Sequence, residues 1–163
     1  MTPATTTMAS PAPLEGTDLE YLCAIEAHFG DVVTAPTPTG TRMLFPVTHG
    51  SVTGPRLAGR IVPGSIDWVT VGADGVGRID VHALVETQDG ARIELTATGR
   101  AVLGERTTAF LAGEEVLGRD AYLRISPLFQ TSDARYAWLN EIVAVARCDL
   151  SPARIRYQVS RVR

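Results

Sequence analysis

Two Asp-Gly dipeptides, Asp74-Gly75 and Asp89-Gly90, bracket the run GRIDVHALVET, in which apolar and polar residues alternate. Asp-Gly tolerates positive φ at both positions and is the strongest short-range hairpin signal. Alternation at period two requires a β-strand with two unlike faces. The chain around 66–103 therefore reads as three antiparallel strands, IDWVTV, GRIDVHALVET and ARIELTATGRAVL. Similar runs recur elsewhere. LEYLCAIEAHF is a first strand, short strands follow near 42–48 and 55–62, and AYLRIS, EIVAVARC and RIRYQVSRV supply the last three. The Pro/Thr-rich TAPTPTGTR and the Gly/Glu-rich 104–119 read as loops. TSDARYAWLN, with Ser132 or Asp133 as N-cap, suits one or two helical turns near 132–139. The expected fold is all-β: an antiparallel up-and-down barrel of about 8–10 strands, because closure removes the edges that an open sheet would expose.

Composition narrows the chemistry. All fifteen basic residues are arginine, which excludes Schiff-base lysines, lysine-anchored pyridoxal phosphate and the P-loop lysine. A net charge of −3 argues against a nucleic-acid partner or an anionic membrane, and the arginines of RIRYQVSRVR read as a solvated strand face. Cys23 and Cys148 lie in apolar runs and read as buried thiols in a reducing, cytoplasmic setting. The three histidines have no ligand-like spacing, so neither a metal nor a cofactor is expected. Residues 1–18 lack both a basic n-region and an apolar run, and read as a disordered tail ahead of a barrel domain at 19–163.

Asp67 is out of character in a strand. With Asp74 and Gly75 as the two central loop residues, Asp67 pairs with His82 and Val69 with Asp80, so Asp67, Asp80, His82 and Glu86 share a face. The next turn then sets His82 opposite Ala97, Asp80 opposite Gly99 and Glu86 opposite Ile93. Arg92, Glu94, Thr96, Thr98 and Arg100 on the reverse side belong in water. The acidic and imidazole groups are thus expected inside, with Ala97 and Gly99 leaving room for a ligand, and an Asp67–His82 pair is suited to acid–base catalysis. This register turns Ile79, Val81, Ala83 and Val85 outward, where a second copy of the chain or a covering segment would have to bury them.

The ordered motifs GxxxGPxLxGxxxPGxxDW (Gly50 to Trp68), DxxxxxETxDGAxI (Asp80 to Ile93), PxFxT (Pro127, Phe129, Thr131) and YxWLN (Tyr136, Trp138, Leu139, Asn140) resemble the family catalogued as domain of unknown function 3237, over about residues 19–162. The resemblance implies a lipocalin-like β-barrel and little about chemistry. His49, Ser65, His82 and Gln130 stand where that pattern carries Gly, Gly, Arg and Glu. The expected activity is that of an enzyme without a redox cofactor: an isomerase, cyclase or lyase acting on a hydrophobic, polyketide-like metabolite. Asp67, His82, Asp80 and Glu86 are the expected acid–base groups. His49, Ala97, Gly99, Tyr136, Trp138 and Asn140 are the expected substrate contacts. A non-catalytic carrier barrel and a structural subunit are the alternatives.

Overall fold

The structure, a computed structural model, describes residues 18–163. The expected tail therefore lies, but for Asp18, outside the described residues. Ten strands follow in chain order: β1 (Leu19–Phe29), β2 (Val33–Thr37), β3 (Gly40–Thr53), β4 (Gly59–Ile61), β5 (Ile66–Val71), β6 (Gly77–Thr87), β7 (Arg92–Val102), β8 (Tyr122–Gln130), β9 (Ala144–Ser151) and β10 (Arg154–Val162). One short helix, α1 (Thr107–Leu111), and two 3-10 segments, Gly104–Arg106 and Ala134–Glu141, complete the described residues.

Each strand pairs antiparallel with its neighbours, and β1 joins both β10 (Ala24 opposite Gln158) and β3 (Ala24 opposite Thr53), closing the barrel. β4 and β5 share one place between β3 and β6, and β2 is an extra strand hairpinned onto β3. The segment read as a Pro/Thr loop is thus partly strand. Where β4 stops and β5 starts, the sheet ladder is interrupted. Ser65 repairs it: its hydroxyl donates to the Val62 carbonyl at 2.8 Å and accepts from the Leu84 N–H at 3.2 Å.

Inner faces carry alternate apolar residues from every wall, among them Ile25, Val81, Ile93, Ile125, Ala146 and Val159. Cys23 and Cys148 are buried free thiols, as expected, and burial pushes the Cys23 thiol up to about 12. The two ends of the barrel differ. At one, the 134–141 segment packs the fully buried Leu139 into the core, capped by Asp133, whose carboxylate accepts from the Arg135 N–H. Leu57 is buried in the same core. At the other, the 72–76 turn and the 104–111 segment surround an opening. The connection after α1 is pinned to the wall by backbone bonds between Val116 and Leu150.

The register differs from the expected one by a single residue. The β5–β6 connection is a loop over 72–76, with Val71 opposite Gly77, because the Asp74 carboxylate accepts from the Val76 N–H and holds a wider turn. Gly75, at φ 71°, supplies the left-handed step. Asp67 consequently faces Val81, and His82 faces Ile66. The β6–β7 turn is shifted likewise: Thr87 closes it onto Ala91 through backbone and hydroxyl, so Glu86 faces Arg92, Val81 faces Ala97 and Ile79 faces Gly99. On β6 the two faces therefore exchange. Ile79, Val81 and Val85 are buried core residues with Ala83 packed beside them, and the reason for expecting a second copy to cover them disappears.

Candidate functional site

Asp67 points inward from β5 and is 5% exposed. Its carboxylate accepts a hydrogen bond from the hydroxyl of Tyr157 on β10. Those two strands are not neighbours; β3 and β1 separate them around the wall. The bond therefore crosses the lumen. Burial among aliphatic side chains pushes the Asp67 carboxyl up to about 6, with the Tyr157 bond pulling the other way. Burial, and then the nearby Asp67 charge, raises Tyr157 well above the ordinary phenol range. Cys148, opposite Tyr157 on β9, is raised for the same two reasons.

On the open side of this pair lies a cavity of about 320 Å³, within the size range of small-molecule sites. Its walls are Phe29, Phe45, Ile79, Leu123 and Ile155, and Leu103, Phe110 and Leu111 of the covering segment reach over its rim. Asp67 is the one charged side chain among the described residues lining it. On the far side lies a small apolar chamber of about 20 Å³, which Asp67 and Tyr157 also line, room for about one water or methyl group.

Of the expected acid–base groups, only Asp67 lies in the lumen. The one-residue shift places the others on the outer wall. The His82 and Asp80 side chains are 56% and 49% exposed and lie 3.2 Å from each other. Glu86 pairs with Arg60 at 2.6 Å, and that guanidinium first, then Arg92, holds its carboxyl below the usual range. His49 is exposed on the outside of β3, its ring stacked 4.3 Å from that of His28.

Among the expected substrate contacts, Ala97 is a buried inner-face residue that lines neither cavity. Gly99 offers no room: a Cβ there would lie 2.3 Å from the Arg124 carbonyl oxygen and 2.5 Å from Ile125, so the glycine permits a tight approach of β7 to β8. Tyr136, Trp138 and Asn140 belong to the closed end. Tyr136 donates to Asp89 at 3.0 Å, the Arg56 guanidinium lies 3.8 Å over Trp138, and Asn140 exchanges hydrogen bonds with the Thr131 backbone at 2.9 Å. Their short polar contacts tie a plug to the wall.

Tyr157 was legible in principle. In RIRYQVSRV the alternation that turns Arg154 and Arg156 outward turns Ile155, Tyr157 and Val159 inward, and a buried phenol needs a polar partner. No group of three or more His, Cys, Asp or Glu among the described residues is arranged to hold a metal ion. No helix among them is long and apolar enough to cross a membrane.

Fold and site together define an antiparallel β-barrel with an apolar interior cavity and one buried acid at its floor. The chain belongs to the family described as "Protein of unknown function (DUF3237)", whose profile matches residues 17–162. It is 32% identical to the UPF0311 protein blr7842 of Bradyrhizobium diazoefficiens over 147 residues, 89% of this chain and 96% of that one. Its fold is similar to the crystal structure of the conserved protein of unknown function RPA1785 from Rhodopseudomonas palustris. The TM-score is 0.86 at 26% identity, covering 94% of this chain and all of that one. It is also 31% identical over 103 residues, 63% of this chain and 54% of the other, to the hydroalkoxylation enzyme phnH of Penicillium herquei.

Proposed function

We propose that the protein is an acid–base enzyme acting on a small, uncharged, largely apolar molecule held in the barrel, with Asp67 as the group that takes and returns the proton. The observation that carries this is the one buried carboxyl among the described residues, raised to about 6, at the floor of a largely apolar cavity. A carboxylate in that setting is a stronger base than one in water, and its conjugate acid forms readily near neutral pH. Tyr157 orients it. An anionic substrate would meet Asp67 with no cation among the described lining residues to offset it, whereas a hydroxyl can donate to it.

The similarity to a hydroalkoxylation enzyme supports a redox-neutral addition of O–H across a carbon–carbon double bond, a cyclase or isomerase step. In such a step the carboxylate accepts the hydroxyl proton, the oxygen forms the new C–O bond, and the proton is delivered to the other alkene carbon. Secondary metabolites of the polyketide type carry suitable phenols and side chains. In the carrier reading, favoured by the preponderance of apolar lining, Asp67 only anchors the ligand.

The test is turnover of unsaturated phenols and alcohols by the wild type and Asp67→Asn. Loss of turnover with retained binding supports the enzyme. Binding without turnover of any of them in the wild type supports the carrier.

A further inference from the structure

Register places a row of arginines across the outer wall. Arg78 on β6 is directly opposite Arg100 on β7, Arg100 opposite Arg124 on β8, and Arg124 opposite Arg147 on β9. All four alternate with inward residues and so project outward. Like charges directly opposed across strands destabilise a sheet. Arg78 is relieved by Asp74 at 2.7 Å. Arg100, Arg124 and Arg147 form no salt bridge among the described residues.

Their guanidinium groups are nevertheless held. Arg100 donates to the Gly99 carbonyl at 2.7 Å, and Arg124 to the carbonyls of Leu123 and Gly118 at 2.9 and 3.1 Å. Arg147 donates to the Gln158 side chain at 2.7 Å. These acceptors are neutral, so they fix the arms without cancelling the charge. A guanidinium has five N–H donors, and each of the three keeps donors to spare. Between Arg100 and Arg124 the wall has a shallow depression bordered by Thr98, Tyr122 and Ser126.

We infer that the outer wall at Arg100 and Arg124, with Arg147 beside them, is a binding site for the phosphate group of a small molecule. Arg100 and Arg124 are directly opposed on adjacent strands, a register that sets Cβ atoms about 5 Å apart, and the guanidinium fork matches phosphate oxygens in pairs. The hydroxyls of Thr98 and Tyr122 are further donors. The depression is confined to this pair, and the chain as a whole is net negative at −3, which favours a compact anion over an extended polyanion or an anionic lipid surface. This site lies outside the cavity and does not depend on the role of Asp67.

The test is amide-resolved NMR titration of the full chain with inorganic phosphate and pyrophosphate at ionic strength held constant with sodium chloride. Saturable shifts centred on residues 98–100 and 122–126 are expected, tighter for pyrophosphate, and weakened about tenfold or more in Arg100→Gln/Arg124→Gln. Arg60→Gln, which alters the separate Glu86 pair, is expected to bind as the wild type. Should the double variant fold poorly, Arg124→Gln alone serves, with an intact amide spectrum as the criterion. Shifts that fail to saturate, that chloride reproduces, or that persist unchanged in the arginine variants overturn the site. So does arginine-dependent binding of an oligonucleotide or of phosphatidylserine vesicles by a protein that ignores both phosphates.

Discussion

Ionising Asp67 opposes folding. The carboxyl titrates near 3.8 when unfolded and at about 6 when folded, so between those values the native state holds more protons, and stability falls as pH rises through the window. Asp67→Asn cannot ionise. Its stability relative to the wild type is therefore expected to improve from pH 4 to pH 7, by about 2 kcal/mol, as read by urea unfolding at each pH. An unchanged difference across that range would mean that the folded carboxyl titrates normally. In the enzyme reading, kcat/KM rises with pH through about 6 and then levels. Tyr157→Phe removes the bond that lowers the Asp67 value, so the inflection is expected to move upward. A pH–rate profile of this variant with its inflection unmoved would deny Tyr157 its part. Asp67 was legible because aspartate is unusual within a strand. Its partner was obscured by the arginines flanking it, which drew the reading to the outer face.

At the scale of the element, alternation within one strand was readable and the alignment between strands was not. The inward side of β7 (Ile93, Leu95, Ala97) came directly from its pattern. The faces of β6 came out reversed because they were inferred from the length of the 72–76 turn, where the Asp74 side chain makes the connection longer than two residues. The four apolar residues left facing water by the shorter turn were the local sign of that error. The covering segment at 104–111 could not be read from its composition, since α1 is only five residues long and buries none of them. The Ser65 hydroxyl bridges the gap between β4 and β5. Ser65→Ala is expected to cost about 1 kcal/mol and to hasten exchange of the Leu84 amide; unaltered exchange would show that the bridge is dispensable.

At the scale of the molecule, the barrel is asymmetric along its axis, and its two ends can be altered separately. Leu139→Ala hollows the plugged end and is expected to lower stability by about 2–5 kcal/mol while ligand affinity holds, measured by unfolding and by titration. Ala101→Phe, on the cavity wall, is expected to do the reverse, filling existing space and displacing ligand with little change in unfolding midpoint. If both variants lost affinity equally, the cavity and the plug would not be independent. Leu139 and its neighbours pack one end closed, and the cavity opens at the other, beside Phe110 and Leu111. In the enzyme reading, arrival and departure share that end: a converted molecule still inside excludes the next one, and accumulated product is expected to compete with substrate.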